Sequence, residues 1–421
     1  MSIIKLAWRN LTNKPLTMAL SLILFGLGVG LISLLFLLQK QLEENFERNL
    51  AGIDLVIGAK GSPLQMILCS MYHIDAPTGN VSLGEIRPFL NPEHPLIDKA
   101  IPLSLGDSHE GSRIVGTDPE ILELYGATLQ QGSVWEKNFE VTAGAGVAKR
   151  LGLQIGDTFR SSHGFTDNED MLHEDAKAFK VTGILDPSGT VLDELLLTTP
   201  QSFWLVHEHE EADSEEEHAH DHAHELEDEI PKSLLEEDSE KEITSLLITF
   251  KGRGFQTLNL ARNINENTDL QAASPAIEIN RLFSMMDTGE RALRILAIII
   301  IIVSGLSIFI SLYSSLRDRR YELALMRVMG GRPLTLFMLI ILEGVLLSIM
   351  GFLFGMVLSH VGMYFLAGAL EESYRYNFSA WQFQKEDVYL LIGSFVLGML
   401  AAVIPAIQAS RTDISDTLAG T

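Results

Sequence analysis

The sequence predicts a polytopic α-helical membrane protein with four transmembrane helices, arranged as one and then three, and a large extracytoplasmic α+β domain. Each of four apolar segments approaches the ~20 residues that a helix needs to cross ~30 Å of hydrocarbon. These segments lie at 16–38, 292–316, 334–366 and 388–407. The polar stretch 39–291 is too long for a loop and long enough for a folded domain.

The first apolar segment has two alternative interpretations, a cleaved signal peptide or an uncleaved anchor. No small-x-small cleavage pattern follows Leu38, and apolar residues continue at helical spacing through Leu42, Phe46 and Leu50. The sequence therefore favours an uncleaved anchor whose helix extends beyond the membrane.

The cations that flank the spans predict the orientation. Nine Lys or Arg lie in the N-terminal tail, in the 317–333 loop and in the 408–421 tail, whereas only two lie in the short 367–387 loop. Because cationic flanks stay in the cytoplasm, we expect both termini there. The 39–291 domain would then be periplasmic, in the inner membrane of a bacterium.

The 39–291 domain mixes strand-like and helix-like segments. Short β-like runs alternate with turns and helices between 100 and 199, followed later by a strand at 243–251 and a helix at 255–265. Strands and helices that follow one another in mixed order along the chain are typical of an α+β domain. No Ser/His/Asp triad spacing, HExxH motif or paired carboxylates stand out, so the sequence favours a non-catalytic protein over a membrane-anchored enzyme.

Gly58 to Ser62 superficially resembles a phosphate-binding loop. It lacks the GxxxxGK[ST] spacing, and Pro63 is well suited to begin a helix directly after it, so we interpret it as a glycine turn. The sequence contains no such motif elsewhere. If ATP is used, we expect another subunit to bind it.

The net charge of −24 is concentrated in a His-rich acidic segment at 207–242, which has 17 Asp or Glu and two Lys. Two interpretations remain open, a solvated disordered insert and a weak site for Zn²⁺ or Ni²⁺, since imidazoles and carboxylates bind such ions. The candidate metal ligands are His207, His209, His218, His220, His222 and His224. No basic stripe exists to favour nucleic acid as a partner.

Small residues and one acid mark the third apolar segment. Gly344, Gly351 and Gly355 suit close helix contact, either within the chain or across a dimer. Glu343 is costly inside a membrane unless it faces the helix bundle or reaches the interface. Since His360 is too far along the same helix to be a proton-relay partner, we favour a packing or interface role for Glu343.

The 317–333 loop gives the most specific signal. Arg319 to Gly331, with the sequence RRYELALMRVMGG, resembles the signature of FtsX-like permeases, the MacB and LolC/LolE type of ABC transporter membrane subunit. Residues 1–15 resemble the family's cytoplasmic amphipathic segment, and Pro405 to Arg411 resembles its C-terminal motif. The one-plus-three topology also matches, whereas the His-rich segment departs from the pattern.

The resemblance implies that 317–333 contains a coupling helix that binds a separate ABC ATPase. The residues that it assigns to this role are Arg319, Arg320, Glu322, Leu325, Met326, Arg327, Met329 and Gly330. It further implies a homodimer or a paired permease, contact with membrane lipid and a periplasmic or lipoprotein partner. ATP and Mg²⁺ would be bound by the ATPase and no cofactor by this chain.

Two functions remain compatible with the sequence. The leading one is the permease subunit of an ABC transporter, which moves a lipoprotein, peptide or amphiphile by coupling ATP hydrolysis to movement of the periplasmic domain. The alternative is a membrane protein that handles or senses zinc through its His-rich segment. An ordinary positive-inside loop at 317–333 would not require the alternating apolar pattern found there.

Overall fold

The computed structural model describes residues 3–164, 177–212, 231–252, 254–374 and 378–411. The chain divides into two compact units. The helical unit consists of Met1–Glu43, Met285–Ser373 and Asn377–Thr421. The sheet unit consists of Glu44–Ser284 and Tyr374–Tyr376.

Helices of very different lengths serve the two units. Among the described helices, four are long and apolar enough to cross a membrane, namely α2 (Pro15–Leu50), α9 (Pro275–Asp318), α11 (Pro333–Tyr374) and α12 (Lys385–Ser410). The shorter helices are α1 (Ile3–Thr12), α3 (Pro63–Tyr72), α4 (Leu83–Leu90), α5 (Glu120–Tyr125), α6 (Ala145–Leu151), α7 (Pro200–Ala212), α8 (Phe255–Asn267) and α10 (Arg320–Val328). The predicted continuation of the first helix through Leu42, Phe46 and Leu50 is confirmed, because α2 ends at Leu50.

Within the described residues, eleven strands of the sheet unit form one mixed sheet and two form a small antiparallel pair. The main sheet has the order β13-β1-β12-β3-β4-β10-β6-β9-β5, with β7 beside β9 and β8 beside β3. The strands are β1 (Leu55–Ala59), β2 (Val81–Ser82), β3 (Ile97–His109), β4 (Ser112–Thr117), β5 (Leu129–Gly132), β6 (Glu140–Ala143), β7 (Thr158–Phe159), β8 (Ser162–His163), β9 (Phe179–Leu185), β10 (Leu195–Thr198), β11 (Glu242–Ile243), β12 (Ser245–Phe250) and β13 (Leu270–Ala273). Parallel pairing occurs between β4 and β10 and between β6 and β9, so the expected α+β class is confirmed.

The main sheet is buried on both faces. Val56 and Leu247 belong to one hydrophobic cluster, whereas their neighbours Leu55 and Leu246 belong to another. Because side chains alternate between the faces of a strand, the two clusters must lie on opposite sides of the sheet. Burial on both faces explains why these strands are nearly continuous apolar runs rather than alternating ones.

The helix predicted to begin at Pro63 is confirmed, whereas Gly58 and Ala59 belong to β1 rather than to the predicted turn. Ser62 is the N-cap of α3, and its hydroxyl oxygen accepts a hydrogen bond from the backbone N–H of Gln65 at 3.4 Å, with Pro63 beginning the helix. A serine N-cap followed by proline is a common helix start.

The expectation of a disordered insert over 207–242 is wrong at both of its ends. Residues 207–212 continue α7, and 231–242 contact the sheet unit through buried Leu234 and through β11, which pairs with β2. The high acidity concealed these few apolar anchors. Residues 213–230, which include four of the six candidate histidines, lie outside the described part of the chain.

Helices α2 and α11 form the centre of the helical unit. In the most apolar 18-residue stretch of each of these two helices, 50% is buried. The corresponding share is 22% for α9 and 28% for α12. At Gly355, a Cβ atom would lie 2.8 Å from the Gly26 carbonyl oxygen, so the two backbones touch. At Gly351 it would lie 2.6 Å from Phe25. Both glycines of the GxxxG stripe are therefore used in contacts within the chain.

Gly344 makes the corresponding contact with α12. A Cβ atom there would lie 2.7 Å from the Gly398 carbonyl oxygen and 2.6 Å from the Ala402 side chain. Such small-residue contacts allow the dispersion-driven packing that joins helices in lipid.

Candidate coupling site

The Arg-rich end of the helical unit contains a short separate helix, α10. It follows a break at Arg319 and ends at Val328, and the chain turns at Gly330, whose φ of +96° is suited to glycine. The N–H of Gly331 donates to the Met326 carbonyl at 2.9 Å, and Pro333 then begins α11. This arrangement satisfies terminal carbonyls and turns the chain sharply between the two helices.

The inner face of α10 is anchored in an apolar cluster. Leu323 and Ala324 are buried, and Met326 is partly buried beside them. The cluster also includes Ala7 of α1, Leu316 of α9, Leu336, Leu339 and Ile340 of α11, and Ala406 and Ala409 of α12. Five helices of the described chain thus contribute side chains to this cluster, and α10 is anchored in it through Leu323.

The outer face of α10 is apolar and exposed. Tyr321, Leu325, Val328 and Met329 lie at helical spacing, and Tyr321 and Met329 are 61% and 73% exposed. We call these four residues the outer stripe. Exposed apolar side chains grouped on one helix face are typical of a protein-binding surface.

A polar network lies behind the outer stripe. The Asn10 side-chain amide donates to Glu343 Oε1 at 2.7 Å, and Arg319 Nη1 lies 3.6 Å from the same oxygen. Arg319 also donates to the Ser315 hydroxyl, and Glu343 is fully buried. Because removing a carboxylate from water is costly unless it is paired, this network ties α1, α9 and α11 together.

A second ion pair, between Lys14 and Asp318, joins the start of α2 to the end of α9. Both side chains are partly exposed. Solvent screening makes such a pair weaker than the buried one. It nevertheless adds a polar contact beside the same break in the chain.

Of the eight predicted coupling residues, five are exposed and three are partly buried. Arg320, Glu322, Leu325, Met329 and Gly330 are exposed, whereas Arg319, Met326 and Arg327 are partly buried. Met326 packs against the inner cluster, unlike the exposed Leu325 and Met329. Arg319 contacts Glu343 because it lies at the helix break rather than within α10.

Sequence reasoning missed Tyr321 and Val328 of the outer stripe and Asn10 of the network. The i, i+4, i+7, i+8 spacing from Tyr321 would have shown the stripe. A buried Glu343 also requires a polar partner at the same depth, but the sequence alone does not place Asn10 there.

One of the histidines of the His-rich segment contacts a buried carboxylate of the sheet unit. Nε2 of His207 lies 3.5 Å from Oδ1 of Asp107, whose side chain is 1% exposed. His209 lies in α7, and His218, His220, His222 and His224 fall outside the described residues. Among the residues that the structure describes, no group of three or more potential His, Cys, Asp or Glu ligands comes together.

The sheet unit also contains a cavity of about 690 Å³. Phe89 and Leu234 contribute apolar surface to it, and Asp118 and Lys99 contribute charged groups. Burial, together with the neighbouring Glu120 carboxylate, raises the pKa of Asp118 to about 6. This carboxyl group therefore changes its charge near neutral pH.

Two known domain families match the chain. The FtsX-like permease C-terminal domain matches residues 294–414, and the MacB-like periplasmic core domain matches residues 18–220. Together with the four long apolar helices, these matches define the class as an ABC transporter permease. The chain belongs to the FtsX-like permease family, and its sheet unit contains a MacB-like periplasmic core domain.

Individual relatives are more distant. The macrolide export ATP-binding/permease protein MacB of Burkholderia thailandensis is 28% identical over 127 residues, which are 30% of this chain and 19% of that protein. The alignment thus spans about a fifth of that relative. The periplasmic region of MacB from Actinobacillus actinomycetemcomitans aligns with 10% identity and a TM-score of 0.33, over 55% of this chain and 94% of that one.

Proposed function

We propose that this chain is the permease subunit of an ABC system in which a separate ATPase binds the outer stripe of α10. ATP-driven movement of the ATPase would then be transmitted to the periplasmic domain. Its work there would be to move or extrude a lipoprotein, a peptide or another amphiphile. The termini and α10 would face the cytoplasm, as the cation bias favours.

The observation that carries this proposal is the contrast between the two faces of α10. Its inner face is anchored in the shared apolar cluster and the adjacent Arg319 pairs with Glu343, while the outer stripe remains exposed. Complete burial of an apolar side chain contributes ~1.5–3 kcal/mol, so four of them suffice for a specific groove contact. A helix fixed in this way would pass a displacement on to the membrane helices rather than absorb it.

Transmission to the periplasmic domain would use α2 and α9, each of which contributes residues to both units. Within the sheet unit, the end of α2 is firmly attached. The Asn49 side chain accepts a hydrogen bond from the Val191 N–H at 2.9 Å, and Arg48 donates to the Gly189 carbonyl at 3.0 Å. Phe46 also packs on Tyr72 and Phe283 with ring centroids 4.8 and 5.4 Å apart.

A double substitution of the outer stripe tests the ATPase contact. Leu325→Asp with Met329→Asp places two charges in the proposed groove, and we expect ATPase co-purification and stimulation to fall at least about tenfold, which corresponds to ~1.4 kcal/mol. Leu258→Asp, on exposed α8 of the sheet unit, is the matched control. Unchanged stimulation by the double variant, with the control also unchanged, would exclude this face as the ATPase contact.

A second candidate function, handling or sensing of a divalent metal, rests on the histidines of the His-rich segment, of which His207 lies beside buried Asp107. It is compatible with the first, because the metal would act on the periplasmic domain of the same transporter.

A further inference from the structure

The cavity in the sheet unit lies where two parallel strands end. β4 and β10 are parallel neighbours, and Thr198 is in register with Gly116. Thr117 and Asp118 at the end of one strand and Thr199 after the other therefore lie at the same edge of the sheet, and all three line the cavity. Its volume of about 690 Å³ is within the ~300–1,000 Å³ range of small-molecule sites. Ligands commonly bind beyond the carboxyl ends of parallel strands.

Two buried polar atoms of the cavity lining have no hydrogen-bond partner among the described residues. They are Nε1 of Trp135 and Oγ1 of Thr117, in residues that are 1% and 0% exposed. A buried indole N–H without an acceptor is costly, and Trp204 of the same unit donates its own N–H to the Glu242 carbonyl at 2.7 Å. The backbone N–H of Trp135 donates to Thr142 at 3.2 Å, which helps to fix the residue. Trp135 therefore offers a positioned donor to an acceptor in the cavity.

The charged groups of the lining favour a cation as the ligand. The lining has four carboxylates and two ammonium groups, those of Asp98, Asp118, Glu120 and Glu136 and of Lys99 and Lys232. One of these ammonium groups, that of Lys99, already pairs with Glu123 at 2.6 Å. Asp118 is the least exposed of the four acids, and with a pKa of about 6 it is mostly a carboxylate at pH 7.5. An excess of negative charge around a cavity concentrates cations there.

Apolar surface completes the lining. Leu234 is buried in the cluster on one face of the main sheet, and Phe89 and Leu90 pack against that cluster. A matching ligand thus needs an apolar body, an acceptor for the Trp135 N–H and a cationic group for Asp118. The free amino terminus of an apolar peptide has all three, because its ammonium group is followed directly by a carbonyl oxygen.

We propose that this cavity binds an amphiphilic amine with the chemistry of a free peptide amino terminus, with its ammonium group at Asp118 and a carbonyl oxygen at the Trp135 N–H. The assignment of this amine as transported cargo rests on the proposed permease function. The binding itself does not depend on that function.

Isothermal titration calorimetry of the full-length protein in lipid nanodiscs tests this site, with empty nanodiscs as the blank. The probe is phenylalanyl-leucinamide, which has an apolar body, carbonyl acceptors and one ammonium group. Its N-acetyl derivative keeps the body and loses the charge. The test variants Asp118→Asn and Trp135→Phe remove the carboxylate and the indole N–H. Asp269→Asn is the matched control, because its side chain is 95% exposed and does not line the cavity.

We expect the wild type and Asp269→Asn to bind the probe equally at pH 7.5. Asp118→Asn should bind it at least about tenfold more weakly, and Trp135→Phe about three- to tenfold more weakly, since each loses one hydrogen-bonding partner of the ligand. The N-acetyl derivative should bind the wild type at least about tenfold more weakly than the probe does. Asp118→Asn should not weaken the binding of this derivative further, because the charge that it would contact is already absent.

Unchanged affinity after either Asp118→Asn or acetylation of the probe, or no binding to the wild type, would overturn the proposal. The acetylated probe tests the same charge in the wild-type protein, so a variant that fails to fold does not prevent a decision. The titration requires no ATPase. Failure of the permease proposal would therefore show in ATPase stimulation and leave this binding intact.

Discussion

Arg319 Nη1 lies 3.6 Å from Glu343 Oε1, and this contact connects the break before α10 to the interior of α11. The same carboxylate oxygen accepts a hydrogen bond from Asn10 of α1. A single buried oxygen therefore joins three helices directly behind the outer stripe. We infer that the pair positions α10 for its partner, while the outer stripe makes the contact itself.

The first prediction concerns this pair. Arg319→Met or Glu343→Met alone leaves a buried charge without its partner, and we expect a loss of about 3–5 kcal/mol in the free energy of unfolding. Arg319→Met with Glu343→Met removes both charges and should lose less than either single change. Thermal unfolding in detergent, arranged as a double-mutant cycle, measures the coupling. Additive losses in the cycle would show that the two side chains do not interact.

The second prediction tests the contact between α2 and α11. Gly355→Ala places a Cβ atom 2.8 Å from the Gly26 carbonyl oxygen, so we expect a loss of about 1–3 kcal/mol in stability. Gly393→Ala is the matched control, because nothing lies within 4 Å of its Cβ position. There the gain in helix propensity should stabilise the protein by up to about 1 kcal/mol. Equal effects of the two substitutions on the melting temperature would contradict the packing described.

The third prediction is a pH dependence. Burial raises the pKa of Asp118 from 3.8 to about 6. Since the folded-state pKa lies above the unfolded value, the stabilising contribution is fully present below pH ~4 and is lost as pH rises through about 6. Asp118→Asn mimics the protonated form, so its free energy of unfolding should exceed that of the wild type by about 3 kcal/mol at pH 7.5 and by less than about 1 kcal/mol at pH 4. Melting temperatures across this range measure the difference. Asp98→Asn, at an exposed position of β3, is the control and should differ from the wild type by the same amount at every pH. A difference between Asp118→Asn and the wild type that is equally constant with pH would rule out the shifted pKa.

Topology is the subject of the fourth prediction. Reporter fusions at Gly132 and Gly254, both in the sheet unit, should give a periplasmic signal, and fusions at Arg320 and Thr421 a cytoplasmic one. The physical reason is the excess of cations on one side of the spans. A cytoplasmic signal at Gly132 would invert the proposed arrangement and remove α10 from the reach of any ATPase.

Much of the fold was predictable because its physical signals are local. Apolar length identifies the four spanning helices, and the Ser62–Pro63 sequence identifies the start of α3. The ends of the His-rich segment were not predictable in the same way. A few apolar residues such as Leu234 decide their packing, and a dense acidic composition conceals them.

The candidate site was predictable as a helix but not in its detail. The charged and apolar pattern located α10, yet the division of Arg319, Met326 and Met329 between inner and outer faces depends on where the helix breaks. The partnership of Asn10 with Glu343 spans more than 300 residues of sequence. No local pattern could have assigned it.

Photo-crosslinking from the outer stripe tests the central proposal most directly. A photoreactive amino acid at Met329 should crosslink this chain to its ATPase in intact membranes, because that side chain is 73% exposed on the outer face of α10. The same amino acid at exposed Ile155 of the sheet unit is the control and should give no such product. A crosslink to the ATPase from position 329 alone is the predicted result. Its absence at 329, in membranes where the two proteins still co-purify, would contradict the assignment of α10 as the coupling helix.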